Sequence, residues 1–162
     1  MRLLCVIVNY RTPELTLRAS DAARVAMRRL PASRLEIVDN ASGDGSAERL
    51  REALARRGAA DVTLRRAPHN GGFGAGNNLA IRAALAGPEP PDVVHLLNPD
   101  CFLEPDALAV LAGFLRAHPE AGIAGSALRG PDGAPHVSAF RFPTVESEVL
   151  GGARLGLLTR LL

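Results

Sequence analysis

The chain has 162 residues, 47% of them hydrophobic and 22% charged, with a formal net charge of +2. A length of this order suits one domain, because a single core then buries roughly two-thirds of the unfolded surface. The composition excludes a disordered polyelectrolyte, and the small excess of positive charge, carried by 19 arginines and no lysine, gives no argument for nucleic acid.

In chain order, residues 3–8 form a continuous apolar run rich in β-branched side chains and closed by Asn9, the pattern of a strand buried on both faces. That strand is expected at the centre of a sheet. Thr12-Pro13-Glu14 supplies a cap candidate, a proline at the first helical position and an acid in the first turn, predicting a helix to about residue 29. Residues 35–38 read as a second strand ending at Asp39-Asn40, and the turn 42–46 leads into a helix to about residue 57. Residues 62–64 make a third strand, 70–74 a glycine loop and 75–86 a third helix stopped by Gly87-Pro88. Residues 93–97 are a fourth strand ending at Asn98-Pro99-Asp100, followed by a helix over 105–118. A fifth strand is expected over 123–128, with Pro131-Asp132-Gly133 turning into a partner over 137–140. Four strand–helix alternations predict an α/β fold: a mostly parallel sheet with helices on both faces.

The run 3–8 is too short for a membrane span and lacks a signal-peptide pattern, so the mature chain is expected to begin here. Cys5 and Cys101 form no C-x-x-C pair, and a reducing, cytoplasmic compartment is expected.

Ligands of such sheets bind at the carboxyl ends of the strands. Those ends are Asn9-Tyr10-Arg11, Asp39-Asn40-Ala41-Ser42, His69-Asn70-Gly71-Gly72 and Asn98-Pro99-Asp100, all polar or glycine-rich. Turn chemistry alone favours these residue types, yet four in succession point to one cleft. Asp39 and Asp100 suit a hard cation or a hydroxyl-rich ligand. Asp100 is the candidate for holding Mg²⁺ or Mn²⁺ beside diphosphate oxygens, its alternative being a turn or helix cap before Pro105. The glycine loop brings backbone N–H groups to a helix start, where phosphate or ribose can approach. It departs from G-x-G-x-x-G at Asn77 and follows the third strand, which disfavours a dinucleotide oxidoreductase, and neither a P-loop nor a G-x-S-x-G elbow is present. The four histidines lie on separate elements, giving zinc little support; His95 reads as a hydrogen-bonded core residue and His118 as a helix C-terminal one.

Read in order, Val6-Ile7-Val8-Asn9-Tyr10-Arg11, Ile37-Val38-Asp39-Asn40-Ala41-Ser42-Gly43-Asp44-Gly45-Ser46, Asn70-Gly71-Gly72-Phe73-Gly74-Ala75-Gly76-Asn77-Asn78 and Leu96-Leu97-Asn98-Pro99-Asp100 resemble the family-two glycosyltransferases, within them the rhamnosyltransferase-like branch. The resemblance covers about residues 3–142 and implies a GT-A fold. It further implies transfer of a sugar from a nucleoside-diphosphate sugar, dTDP- or UDP-linked, to an acceptor hydroxyl with inversion.

By that resemblance Asp39 matches the carboxylate on the base and ribose side of the donor. Asn9, Tyr10 and Arg11 match the first nucleotide-contacting loop, and Asn40, Asn70, Gly71, Gly72, Phe73, Gly74 and Asn77 the segments beside the nucleotide. Asp100 matches the last carboxylate of the D-x-D metal motif, with Asn98 at its first position, one charged ligand fewer than usual. The family's catalytic base lies in a later acidic segment. Glu146 and Glu148 do not match it, so the expectation is a donor-binding part over 1–142 followed by a linker or helix over 143–162.

The tail from 145 to 162, with eight leucines or valines beside Arg154 and Arg160, reads either as an amphipathic helix for peripheral contact with a membrane's inner face or as a helix packing on further protein. A saccharide or lipid-linked acceptor and a role in cell-envelope polysaccharide are what the branch implies. The alternative is a non-catalytic nucleotide-sugar-binding or assembly module.

Overall fold

A computed structural model describes residues 1–137. The chain divides into two units, Met1–Ala124 and Gly125–Leu162. The first holds a four-stranded sheet in the order β3-β2-β1-β4, built from β1 (Leu3–Asn9), β2 (Arg34–Asp39), β3 (Val62–Arg66) and β4 (Val93–Leu97). Every pairing is parallel, with Ile7 opposite both Ile37 and Leu97. β1 is therefore central and buried along its whole length, as its unbroken apolar run predicts.

Side-chain alternation along β1 separates two cores. Leu3, Cys5 and Ile7 face Leu17 and Ala23 of α1 (Pro13–Met27), Leu50 and Leu54 of α2 (Ser46–Arg56) and Leu108 of α4 (Ala107–Ala117). Leu4, Val6 and Val8 face Ala80 and Ala84 of α3 (Gly72–Leu85) on the other side. Among the described residues no helix is long and apolar enough to cross a membrane.

The structure departs from the sequence reading at several boundaries. α3 starts at Gly72, three residues before the expected Ala75, so the second half of the glycine loop is helical. Further along the helix close packing requires a glycine: a Cβ on Gly76 would lie 2.9 Å from Val8 Cγ1. α4 begins at Ala107 rather than Pro105. Thr12 precedes α1 but makes no side-chain cap, and its Oγ1 is buried without a partner. Asn9 Oδ1 ties the helix start to β1, accepting from Thr12 N at 3.3 Å and Thr16 Oγ1 at 3.0 Å.

The fifth strand expected over 123–128 does not join the sheet. In the second unit, β5 (Leu128–Arg129) pairs antiparallel with β6 (Pro135–His136), the chain between them turning at Gly133. Ile123 is 91% exposed, for Gly122 and Gly125 leave the run too few apolar neighbours to bury a strand face. The partner strand thus starts before Val137, and the remainder of the predicted 137–140 arm, the boundary at 142, Glu146, Glu148 and the apolar tail lie outside the described residues. His95 is also corrected: its Nε2 is buried with no hydrogen-bond partner, and burial holds the imidazole below its usual pKa.

Candidate functional site

Parallel pairing brings the carboxyl ends of all four strands to one side of the sheet, so the segments following β3, β2, β1 and β4 lie side by side. Asp39 ends β2 and Asp100 follows β4, with the end of β1 between the two strands. The residues singled out in the sequence separate into two sets. Asn9, Asp39, Asn40 and Asn77 are buried, whereas Tyr10, Arg11, Asn70, Gly71, Gly72, Phe73, Gly74, Asn98 and Asp100 are exposed.

The buried set is a hydrogen-bond network. Asn9 Nδ2 donates to Asp39 Oδ1 at 2.7 Å and to Ser42 Oγ at 3.2 Å. Ser42 donates to Asp39 twice, from Oγ to Oδ1 at 2.6 Å and from its backbone N to Oδ2 at 3.2 Å. Both carboxylate oxygens are thus engaged inside the protein, and Asp39 is only 2% exposed. Ser42 Oγ also accepts from Arg11 N at 3.0 Å, while Arg11 Nε donates to Ser42 O at 3.1 Å. These contacts hold two non-glycine residues in the left-handed region, Arg11 at φ 61° and Ala41 at φ 56°. The Arg11 guanidinium lies over the Tyr10 ring, 5.1 Å from its centroid.

A second link joins β2 to α3. Asn40 Nδ2 donates to Asn70 Oδ1 at 2.8 Å and to Gly72 O at 3.1 Å, and Asn70 Oδ1 also accepts from Gly72 N at 2.9 Å. Asn77 Nδ2 donates back to Phe73 O at 2.9 Å. The amide oxygens of Asn40 and Asn77 are buried and unpartnered. Nothing would meet a Cβ at Gly74, so the start of α3 stays open to a ligand.

Asp100 differs from Asp39 in every respect. It is exposed, and its one side-chain contact is a weak 3.7 Å approach from Cys101 Sγ. Burial first, and then the Asp100 charge, push the Cys101 thiol above its usual pKa. Among the described residues no three His, Cys, Asp or Glu side chains converge to hold a metal. A lone exposed carboxylate suits a hard divalent ion that takes most of its oxygens from diphosphate and water, so Asp100 fits Mg²⁺ or Mn²⁺ only together with a nucleotide.

Ser42 and Thr16 carry contacts that sequence reasoning did not assign. The signal for Ser42 was its place three residues after Asp39, the spacing at which a carboxylate and a following backbone N–H close a turn.

Residues 5–146 match the model of glycosyl transferase family 2. The chain belongs to glycosyl transferase family 2. Solved structures share the fold of this family 2 chain at low identity. A mannosyltransferase from Pyrobaculum calidifontis, PcManGT in complex with GDP-Man and Mn²⁺, is 20% identical with a TM-score of 0.64, over 81% of this chain and 36% of that one. S. aureus TarS 1-349 in complex with UDP-GlcNAc is 18% identical with a TM-score of 0.59, over 74% of this chain and 32% of that one. The family 2 chain thus spans about a third of the length of these structures. No curated protein matches it.

Proposed function

We propose that this chain is the donor-binding part of a glycosyltransferase, residues 1–142 holding a dTDP- or UDP-sugar whose sugar passes to an acceptor hydroxyl with inversion. The observation that carries this reading is the exposed, unpaired Asp100 beside a hydrogen-bonded polar floor, at the carboxyl end of a family 2 sheet. Tyr10, Arg11 and the 70–74 segment would contact the nucleotide. Asn9, Asp39 and Ser42 would act beneath them, fixing the loop from which Tyr10 and Arg11 project. Asn40 would present its free Oδ1 to the nucleotide, and Asn77 would shape the start of α3.

Asp100, with Asn98 beside it, would hold a divalent ion. Such an ion offsets negative charge on the leaving diphosphate. The bound Mn²⁺ of the mannosyltransferase supports metal use and its GDP-Man supports a nucleoside-diphosphate sugar; UDP-GlcNAc in the second structure supports the same class. Rhamnose as the sugar, a saccharide or lipid-linked acceptor in the cell envelope, and a cytoplasmic site at the inner face of the membrane rest on the motif resemblance, with residues 143–162 as linker or surface helix.

One observation favours a second reading, a nucleotide-sugar-binding module without turnover. Of the strand-end carboxylates, Asp39 is consumed internally and Asp44 is held by Ser46 and Arg49, so neither is free to take a proton from an acceptor. Calorimetric titration with dTDP, UDP and GDP, with and without Mn²⁺, tests the donor site. Binding strengthened by metal is expected, and a folded sample that binds none of them refutes it. A donor-turnover assay on the same sample then separates the two readings.

A further inference from the structure

The strand ends are tied to one another unequally. β1, β2 and the start of α3 are cross-linked through Asn9, Asp39, Ser42, Asn40 and Asn70. The segment after β4 has a local turn, Cys101 N donating to Asn98 O at 3.1 Å, and inward packing of Cys101 and Leu103 on the core. Between those two inward residues Phe102 points out, 46% exposed, with the Arg18 guanidinium over its ring at 4.4 Å from the centroid. Arg18 lies on α1, whose first turn is bound to Asn9 through Thr12 and Thr16. On the same helix Arg24 pairs with Asp61, and Arg57 of the neighbouring α2 end pairs with Asp21. Arg18 meets an aromatic face instead of a carboxylate.

We propose that Arg18 and Phe102 are a positioning pair: the stacked guanidinium pins the 98–103 loop to α1 and so sets Asp100 relative to the Tyr10–Arg11 side of the site. The inference rests on the donor-site reading for its consequence, though the pinning itself does not. Without the stack, the local Asn98–Cys101 turn and the burial of Cys101 and Leu103 are what restrain the loop beside Asp100. A carboxylate that must meet an ion shared with a diphosphate loses affinity when its loop spreads over several positions.

Cys101 reports on this loop directly, because it sits between Asp100 and Phe102 and is partly exposed, whereas Cys5 is fully buried with its thiol pushed up to about 12. Iodoacetamide labelling followed by mass spectrometry is expected to show Cys101 reacting roughly two- to fivefold faster in Arg18→Ala and Phe102→Ala, with Cys5 unreacted as the sign of an intact core. Affinity for UDP or dTDP with Mn²⁺ should fall by a similar factor while metal-free affinity holds. Phe102→Tyr should restore both, and the double alanine variant should be no worse than either single one.

An unchanged Cys101 rate in Arg18→Ala overturns the pin, whatever the nucleotide result. Equal loss of affinity with and without metal overturns the positioning of Asp100, for that is the signature of general disruption. A wild-type chain that binds no nucleotide, alongside a clear labelling contrast, refutes the donor site and leaves the pin supported.

Discussion

The ends of β2 and β4 present the same residue type to the same side of the sheet and use it in opposite ways. Asp39 is buried and accepts three hydrogen bonds from Asn9 and Ser42, so its charge is spent on holding backbone loops. Asp100 is exposed and free. The difference teaches that a strand-end carboxylate is buried in a network or left exposed according to what the neighbouring strand places beside it: β2 has Asn9 of β1 directly opposite, in register with Asp39, whereas β4 ends at Leu97, opposite Ile7, and Asp100 lies beyond the pairing.

That contrast should break first at Asp39. Asp39→Ala would take one acceptor each from Asn9 Nδ2, the Ser42 hydroxyl and Ser42 N in a buried site, and a loss of about 3 kcal/mol in urea unfolding is expected; a loss below about 1 kcal/mol would mean the network carries little. Gly76→Ala comes next. The added methyl meets Val8 at 2.9 Å, an overpacking cost of about 2 kcal/mol, offset by about 1 kcal/mol of helix propensity. The net effect should be a modest destabilisation, visible as a lower unfolding midpoint and a weaker nucleotide affinity, since the start of α3 is displaced.

Acidification should give a smaller effect, located at β4. Burial keeps His95 neutral in the fold, below its ordinary pKa, and an unfolded chain binds the proton near the ordinary value of about 6.5. The stabilisation is therefore whole above that value and is lost as pH falls through it towards the folded one. The melting temperature should drop between pH 7 and pH 5, and His95→Phe should flatten the drop; an identical slope in the variant would place its origin elsewhere. The smallest effect on stability belongs to Asp100→Asn, within about 0.5 kcal/mol because the side chain is exposed. The same variant should abolish the metal-dependent gain in nucleotide affinity and speed Cys101 alkylation, as a negative charge that holds the thiol up is removed.

The sheet was legible in the sequence because short strands rich in β-branched residues alternate with helices, and residues 3–8, an unbroken apolar run closed by Asn9, could be placed centrally on that ground alone. That the four polar strand ends share one side of the sheet was legible too, from the strand–helix alternation that predicts parallel pairing. The sorting of those ends into floor and rim was not. Asp39 and Asp100 each follow a hydrophobic strand, and sequence spacing says nothing about which side chain turns inward. The early start of α3 was hidden by glycines whose usual meaning is loop, when Gly72 and Gly74 instead open the helix. The misplaced fifth strand had the opposite cause: a β-branched residue at Ile123 suggested pairing, but two-residue β5 finds its partner in a local hairpin.

The left-handed pair at Arg11 and Ala41 has a consequence for the unfolded chain. Holding a residue with a Cβ in that region costs about 1–2 kcal/mol, and a glycine there would relieve it. Glycine would also enlarge the ensemble of conformations available to the denatured polypeptide, which costs about 0.4–1 kcal/mol on folding. At Ala41, with its φ of 56°, the strain is the larger of the two, so Ala41→Gly should stabilise slightly. The alanine therefore trades tension in the native loop for a denatured chain that has less freedom to surrender.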